Sequence, residues 1–305
     1  MRRLKLDGVL LLDKPVGPSS SAVLQAVKRL LQAEKAGHAG TLDPLASGLL
    51  PLLFGEATKF ARFGLDSVKE YVAGIRLGTS TDTGDAEGAV LERHAVDVDD
   101  ARLAHALERF RGEIGQVPPM YSALKRGGQP LYTLARAGQT VERGSRRITV
   151  HELELIERAQ DLVRVRVRCS KGTYIRQLAA DLGSELGTGA HLEALRRTAV
   201  GAYRLDRAVA LDDLQALGEE ARRAWLLPPD SLLEALPRID LDAAQTERFL
   251  HGQAVAREAP GGACLALEAP SGTCRVYREG GPLLGVGEAG PGNELRPVRL
   301  IRRGN

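Results

Sequence analysis

One segment, Leu162–Cys169, shows the clearest two-residue periodicity in this chain of 305 residues. Apolar residues alternate there with arginines, in the order Val163, Arg164, Val165, Arg166, Val167, Arg168, Cys169. Because successive side chains of a β-strand point to opposite faces, this alternation predicts a strand that buries one face and presents a row of guanidinium groups on the other. The chain must therefore form a sheet that is covered on at least one side.

The other periodic segments predict both strands and helices, without the regular βαβ rhythm of a parallel sheet. Strands are predicted at Gly8–Asp13 and Lys69–Gly78, and a polar, glycine-rich loop at Thr79–Gly88. Segments with helical spacing of apolar residues and suitable cap residues predict four helices: Ser19–Lys35, Asp99–Phe110, Thr173–Leu186 and Asp242–His251.

A proline-rich stretch, LLPPDSLLEALPRID at residues 226–240, marks a change in composition. A length of 305 residues also suggests about two domains. We therefore predict a larger domain at residues 1–235 and a small module at residues 236–305. Short segments separated by Gly and Pro indicate that this module is rich in β-structure.

Composition excludes several classes of protein. Hydrophobic residues make up 43% and charged residues 27% of the chain, which is ordinary for a globular protein. No apolar run approaches the ~18–20 residues of a membrane helix, and the basic N-terminus lacks the apolar segment of a secretory signal. The three cysteines, Cys169, Cys264 and Cys274, show no CxxC spacing, so neither a disulfide framework nor a cysteine zinc site is expected. These features favour a cytoplasmic protein without a membrane partner.

Basic residues are concentrated between Arg143 and Arg176, although the net charge of the whole chain is only +3. Further arginines lie near the C-terminus: Arg296, Arg299, Arg302 and Arg303. Such patches are typical of surfaces that bind nucleic acids, with anionic small substrates as the alternative. A solvated arginine-rich face without a ligand explains the same pattern.

Two short segments carry candidate functional side chains. In the glycine-rich stretch from Lys35 to Lys59, Asp43 directly precedes Pro44, and a residue before proline is restricted to extended conformations that can project its carboxylate outward. An Asx turn, in which Asp43 caps backbone donors, is the alternative. In the second segment, residues 169–183, Tyr174 and Arg176 lie at the start of the predicted helix, near the arginine row. The alternative is that they are a half-buried tyrosine and a surface arginine without a functional role.

The familiar motifs of nucleotide-dependent and zinc-dependent enzymes are missing: GxSxG, HExxH, the Walker P-loop, and GxGxxG after a strand. The six histidines are scattered singly, which gives no support for a metal site. We therefore expect neither a metal nor a cofactor.

Taken together, several motifs resemble the TruB family of bacterial tRNA pseudouridine synthases. They are GVLLLDKPVGPSS (8–20), KAGHAGTLDPLASGLLPLLFGEATK (35–59), KEYVAGIRLGTSTDTGDAEG (69–88), QVPPMYSALKRGGQPLYTLARAG (116–138) and CSKGTYIRQLAADLG (169–183). The resemblance covers roughly residues 8–205 and is weaker over 236–305, where it suggests only a PUA-like RNA-binding module. It implies an α+β pseudouridine synthase fold with a central mixed or antiparallel sheet.

The resemblance also implies an activity, isomerisation of uridine 55 to pseudouridine in the T-arm of tRNA. It implies a monomer that uses no guide RNA, unlike the dyskerin relatives that share several of these motifs. Asp43 matches the essential aspartate, Arg176 the arginine that pairs with it, and Tyr71 the tyrosine that lies against the target base. Further matches to substrate-binding positions are His38, Tyr174 and Leu195.

This reaction suits the residues present. A C–N glycosidic bond breaks and a C–C bond forms without redox change, so one carboxylate suffices, as nucleophile or as base at the ribose. An adjacent arginine favours its ionised form and orients it. The base must be flipped out and held by stacking, for which Tyr71 offers a surface and a hydroxyl that can assist removal of the C5 proton. The basic window 143–176 is expected to hold phosphates.

Two other functions fit these residues less well. A non-catalytic RNA-binding or tRNA-folding protein on the same scaffold has no need for the set of Asp43, Tyr71 and Arg176. A glycosidase needs a second carboxylate in a comparable motif, which the sequence lacks.

Overall fold

The structure is a computed structural model that describes residues 3–122, 124–256, 272–290 and 294–301. Its strands, in chain order, are β1 (Gly8–Lys14), β2 (Ala36–His38), β3 (Ala46–Phe54), β4 (Lys69–Leu77), β5 (Thr79–Thr81), β6 (Val90–Arg93), β7 (Gly112–Gln116), β8 (Lys125–Arg126), β9 (Gln129–Pro130), β10 (Arg146–Ala159), β11 (Leu162–Cys169), β12 (Ala190–Val200), β13 (Tyr203–Arg204), β14 (Val209–Ala210), β15 (Arg238–Leu241), β16 (Val255–Ala256), β17 (Thr273–Arg278), β18 (Leu283–Gly290) and β19 (Glu294–Leu300). Its α-helices are α1 (Ser20–Leu30), α2 (Ala61–Asp66), α3 (Asp100–Arg109), α4 (Leu131–Arg136), α5 (Ile175–Glu185), α6 (Leu211–Ala216), α7 (Glu219–Ala224) and α8 (Ala243–Leu250). Short 3-10 helices lie at Gly55–Phe60, Leu205–Arg207 and Ser231–Leu233.

A ten-stranded mixed sheet organises the described part of residues 3–235. Its strand order is β14-β1-β3-β12-β4-β11-β10-β7, with β2 added to β3 and β13 to β12. Strand β12 runs parallel to β3 and antiparallel to β4, so it joins the two halves of the sheet. The combination of this sheet with helices is the α+β architecture that the sequence predicted.

The main core lies on one face of this sheet. Val163, Val165, Val167 and Cys169 of β11 are buried there, which confirms the predicted strand. Strand β4 turns Tyr71, Ala73, Ile75 and Leu77 to the same core, as its alternation predicted. Helices α1, α3 and α5 cover this face of the sheet. Their buried residues recur at three- and four-residue spacing, which places them on one side of each helix.

The opposite face of the sheet, which we call the outer face, carries the arginine row of β11. In the register of the sheet, Arg166 lies beside Val72 and Arg168 beside Glu70, so the row points away from Tyr71. Each arginine forms an ion pair with a glutamate of β10, in the pairs Arg164–Glu157, Arg166–Glu154 and Arg168–Glu152. The expectation that this part of the basic window holds phosphates stays a prediction, and the register of β10, which pairs these charges within the protein, argues against it.

Helix ends and one loop differ from the prediction. Helix α1 begins after its predicted cap, Ser19, but ends at Leu30, because Gln32 turns the chain with φ +52° and pairs with Leu4. Helix α5 begins at Ile175, since the side chain of Gln116 hydrogen-bonds both backbone groups of Tyr174. The predicted loop at Thr79–Gly88 is wrong at its start, where β5 pairs with β6 to form a hairpin.

Helices α3 and α8 confirm their predicted caps. Asp99 accepts a hydrogen bond from the backbone N–H of Arg102, and Asp242 from that of Gln245. Helix α8 is followed by Gly252, which has φ +81° and so permits the left-handed turn that ends the helix.

A second, five-stranded sheet with the order β15-β17-β18-β19-β16 lies C-terminal to the proline-rich stretch. Its own core includes Leu241, Phe249 and Val276. A further apolar cluster joins Tyr277 and Leu283 of this sheet to Phe60 and Leu233 of the preceding part. Arg302, Arg303 and Cys264 lie outside the described residues. Among the helices described, none is long and apolar enough to cross a membrane.

Candidate active site

A cleft of about 740 Å³ opens where the loop before β3, strand β4 and the start of α5 meet. Its lining includes Asp43, Tyr71, Asp85, Tyr174, Arg176 and Leu195. Its volume lies within the range of small-molecule sites. The structure thus brings together every candidate residue from the sequence analysis except His38.

Asp43 lies in the loop between β2 and β3, and this loop is held from several directions. The buried Ser20 hydroxyl accepts a hydrogen bond from the N–H of Leu42 at 2.7 Å and donates one to its carbonyl at 2.8 Å. The carbonyl of Pro44 accepts a hydrogen bond from the N–H of Gly17. These contacts hold the backbone on both sides of Asp43, whose carboxylate, with 41% of its side chain exposed, lines the cleft.

Arg176 pairs with Asp43 and is itself buried, with 7% of its side chain exposed. Its Nε donates to Oδ2 of Asp43 at 2.9 Å, while its two terminal nitrogens donate to the carbonyls of Thr83 and Tyr121. The surface-arginine interpretation is therefore wrong. The Asx-turn interpretation is not supported either, since the described hydrogen bonds of the Asp43 carboxylate include Arg176 and no backbone N–H.

A second carboxylate, missed in the sequence analysis, stands behind this pair. Asp85 is buried and lies 3.5 Å from Nε of Arg176. It accepts hydrogen bonds from the Thr83 hydroxyl at 2.6 Å and from the N–H of Glu87. Arg176 is thus held between two carboxylates, and its guanidinium plane is fixed. Asp85 lies in the polar segment TSTDTGDAEG, whose composition alone predicted only a loop.

Tyr71, Tyr174 and Leu195 form the aromatic and apolar part of the cleft. Tyr71 is on β4, and Leu195 is on the neighbouring strand β12. Burial raises the pKa of the Tyr71 hydroxyl above the ordinary tyrosine value. Burial also raises the pKa of Tyr174 above the ordinary tyrosine value. Both phenols therefore remain neutral near pH 7 and offer flat faces for stacking.

His38 does not line the cleft. It lies on the short strand β2 beside Leu52, half-buried, and its Nδ1 has no hydrogen-bond partner among the described residues. Burial, followed by the charge of Arg197, lowers the pKa of this histidine. A role for His38 in binding stays a prediction from the sequence.

Two buried lysines near the cleft were also missed. Lys14 donates to the carbonyls of Pro15 and Ala46 at 2.8 and 2.6 Å, and burial lowers its pKa to about 8. Lys69 donates to the carbonyls of Gly64, Leu65 and Ser67, and burial lowers its pKa to about 8 as well. Both lysines fix backbone segments that border the cleft.

A metal ion has no evident place in the part of the chain that the structure describes. No group of three or more His, Cys, Asp or Glu residues there is arranged to hold one. Cys169 is buried, and burial raises the pKa of its thiol to about 11, so it is no reactive nucleophile at neutral pH.

Comparison with known proteins identifies the family. A family model described as "TruB family pseudouridylate synthase (N terminal domain)" matches residues 28–175, and "tRNA pseudouridylate synthase B C-terminal domain" matches residues 176–234. A third, "Pseudouridine synthase II TruB, C-terminal", matches residues 237–301.

Individual proteins are similar over the full chain. A protein named tRNA pseudouridine synthase B from Burkholderia mallei (strain NCTC 10247) is 56% identical, over 100% of both chains. One of the same name from Azoarcus sp. (strain BH72) is 53% identical, over 97% of this chain and 95% of its own.

Solved structures share the fold. "Crystal Structure of a Cbf5-Nop10-Gar1 Complex" has a TM-score of 0.72 at 28% identity, over 97% of this chain and 84% of that one. "Structure of H/ACA RNP bound to a substrate RNA containing 2'-deoxyuridine" has a TM-score of 0.71 at 25% identity, over 97% and 85%. The fold and these matches define the class of protein as a pseudouridine synthase, an isomerase. Within that class, the chain belongs to the TruB family of pseudouridylate synthases.

Proposed function

We propose that this enzyme converts uridine 55 in the T-arm of tRNA to pseudouridine, with Asp43, Tyr71 and Arg176 as its catalytic residues. The observation that carries this proposal is the Asp43–Arg176 pair, at 2.9 Å, at the edge of a cleft whose floor includes Tyr71. The full-length relatives named tRNA pseudouridine synthase B support the choice of tRNA as substrate.

The reaction rearranges one nucleotide. The bond between C1′ of the ribose and N1 of uracil breaks, the uracil turns within the cleft, and C1′ bonds to C5. The C5 proton is lost and N1 gains a proton, so atoms and charge balance. The Asp43 carboxylate acts at the ribose, as nucleophile or as base, while Arg176 holds it in one orientation.

The remaining cleft residues bind the flipped-out base. Tyr71 stacks on the uracil, and Tyr174 and Leu195 contact it from the start of α5 and from β12. Because burial raises the pKa of Tyr71, its neutral hydroxyl can assist the loss of the C5 proton only by passing a proton on. His38 is proposed to help occupy the space that the flipped nucleotide leaves in the RNA loop.

The proposal extends to the organisation of the protein. Residues 1–235 form the catalytic domain, and residues 236–305 form a PUA-like module that binds tRNA outside the T-loop. The enzyme acts in the cytoplasm as a monomer, without guide RNA. The higher identity to proteins named as tRNA enzymes than to the H/ACA structures supports a stand-alone enzyme.

The test is tritium release from a tRNA transcript labelled at C5 of uracil, without added nucleotide or metal. One equivalent per tRNA should be released, and pseudouridine should map to position 55. A transcript with cytidine at that position is the matched control and should release no label. A protein that binds tRNA tightly without any release would instead be the non-catalytic tRNA-binding protein.

A further inference from the structure

A buried arginine, Arg197, also lines the cleft and is not part of the proposed catalytic set. It is 1% exposed and is among the largest fully buried side chains in the described part of the protein. On strand β12, Arg197 is the register partner of Tyr71 on β4 and of Gly48 on β3. It therefore stands between the strand that carries the cleft tyrosine and the strand that follows the Asp43 loop.

The guanidinium group of Arg197 connects these two parts. Its Nε donates to the carbonyl of Leu49 at 2.7 Å. Its terminal nitrogens donate to the carbonyls of Thr41 at 3.3 Å and Gly40 at 3.1 Å, within three residues of Asp43. On the sheet, the same residue lies directly beside Tyr71 in the register of β12 and β4. One rigid, planar group thus holds the loop of the carboxylate from the strand position that is paired with the cleft tyrosine.

Two glycines permit this arrangement, one by leaving room for the Arg197 backbone and one by its backbone conformation. Gly48 has φ +102°, and a Cβ there would lie 2.3 Å from the carbonyl oxygen of Arg197. Gly40 has φ +129°, and a Cβ there would lie 3.5 Å from a terminal nitrogen of Arg197. Strand β3 therefore approaches the Arg197 backbone closely, and the loop adopts a conformation that other residues rarely reach.

The charge of Arg197 is unusual for a purely structural residue. Its described hydrogen-bond acceptors are the neutral carbonyls of Leu49, Thr41 and Gly40, and the ion pairs of the described residues do not include it. A buried cation without a carboxylate partner destabilises a fold, and such groups cluster at functional sites. Its field reaches the cleft region, since its charge adds to the larger effect of burial in lowering the pKa of Lys14, His38 and Lys69.

We propose that Arg197 is a positioning residue for the isomerisation, which sets the distance between the Asp43 loop and the Tyr71 ring. This inference rests on the proposed function. In it, Arg176 orients the carboxylate within the cleft, while Arg197 fixes the backbone of its loop against the ring that holds the base. A shift of about 1 Å between such groups costs on the order of 100-fold in rate.

The first test compares Arg197→Lys with the wild type in single-turnover tritium release at saturating enzyme. Lysine keeps the charge but cannot reach the acceptors on both sides. We expect the rate to fall by about 10- to 100-fold, with tRNA affinity changed by less than about threefold, because phosphate contacts supply most of the affinity. Arg196→Lys, on the same strand but on the outer face, is the matched control and should keep the wild-type rate.

The second test separates positioning from loss of structure. Tyr71→Phe changes the residue paired with Arg197 in the register of β4 and β12, so the two substitutions should not be independent. We expect the double variant to lose less than the product of the two single losses, by about threefold or more. Folded fractions, measured by circular dichroism and thermal unfolding, allow each rate to be given per folded molecule. If Arg197→Lys does not fold, Arg197→Gln, which retains a planar donor, is used in the same cycle.

Three results would overturn the inference: an Arg197 variant with the wild-type rate, a loss fully explained by the folded fraction, or single losses that simply multiply. Failure of the proposed function has a different signature, because the wild type itself would then release no tritium from tRNA.

Discussion

At the residue scale, the site depends on pairs that are distant in sequence. Asp43 and Arg176 are 133 positions apart and meet at 2.9 Å. Arg176 has a separate acceptor for each of its three nitrogens, in Asp43, Thr83 and Tyr121. The role of these residues therefore depends on the geometry of their contacts more than on their net charge. The variants below keep the size or the charge of the side chain and change its contact geometry or its chemistry.

Asp43→Asn is expected to abolish isomerisation while changing tRNA affinity by less than about tenfold. The carboxylate serves the bond changes, whereas phosphate contacts dominate affinity. Tritium release and equilibrium binding measure the two quantities. Asp13→Asn, which alters an ion-paired carboxylate on the outer face, is the control. Turnover near the wild-type rate in Asp43→Asn would remove this residue from the mechanism.

Arg176→Lys is expected to lose at least about 100-fold in single-turnover rate, although the charge is kept. A single lysine nitrogen cannot reproduce the planar fork that contacts Asp43, Thr83 and Tyr121 together. Affinity for tRNA should change little, since Arg176 is buried behind the carboxylate. Free replacement by lysine would show that the pair acts only through charge.

At the scale of elements, the sheet separates two kinds of charge. Its inner face leads to the cleft, and its outer face carries ion pairs between β10 and β11. Such exposed pairs contribute little to stability, about 0–1 kcal/mol each. They also neutralise one another, which explains why a strongly basic window of sequence need not form a phosphate-binding surface.

Arg166→Gln is therefore expected to leave the salt dependence of tRNA binding unchanged and to alter the free energy of unfolding by less than about 1 kcal/mol. Titrations at several salt concentrations and urea unfolding measure these quantities. Arg136→Gln, at the cleft lining on α4, is the comparison variant and should weaken binding. A flatter salt dependence in Arg166→Gln would restore the arginine row as a phosphate contact.

The end of helix α2 provides a test of pH dependence. Nζ of Lys69 donates to the carbonyls of Gly64 and Leu65 near the end of this helix. Burial lowers the pKa of this lysine from 10.5 to about 8. Between these values the unfolded chain binds more protons than the folded one, so this group makes the free energy of unfolding rise with pH. Below pH 8 its contribution is constant.

Urea unfolding between pH 7 and 10 should therefore show the wild type gaining stability relative to Lys69→Met as the pH rises above about 8. Lys171→Met, at an exposed neighbouring lysine, tests whether the gain requires burial. Parallel curves for the wild type and Lys69→Met would show that burial of Lys69 does not control this region.

At the scale of the whole molecule, the second sheet is attached to the first part by apolar contacts. Phe60 and Leu233 pack against Tyr277 and Leu283, and Nζ of Lys59 donates to the carbonyl of Leu300 at 2.9 Å. Deleting the module would uncover these apolar side chains. A comparison of the deletion with point variants is therefore needed to separate binding from stability.

Removal of residues 236–305 is expected to weaken tRNA binding more than it slows the step in bound tRNA. In the full chain, Arg299→Gln should reduce the log–log salt slope by about 0.7–0.9 if this exposed arginine contacts a phosphate. A short T-arm stem-loop should be affected less than full tRNA, because the module is proposed to bind tRNA outside the T-loop. Unchanged affinity and salt slope in the deletion would show that the module does not bind this RNA.

Local signals in the sequence predicted much of the secondary structure. Strands β4 and β11 followed from alternation, β1 from its short apolar run, and α3 and α8 from apolar spacing and the residues at their ends. These signals are local because side-chain direction and cap hydrogen bonds involve residues only a few positions apart. The end of α1 and the β5–β6 hairpin were predicted wrongly, since long-range pairing with Leu4 and with β6 decides them.

The sequence by itself also determined the family, because its motifs are specific as a set, and with the family came Asp43, Tyr71 and Arg176 as candidates. Only the tertiary structure decided which charges act together. Burial of Arg197 and Asp85, and pairing of the arginine row with glutamates, depend on strand register and on how the loops pack. A charged residue has the same letter whether it faces water, a carboxylate or a ring of carbonyls. Its energy and its role are set by that environment, which exists only once the chain is folded.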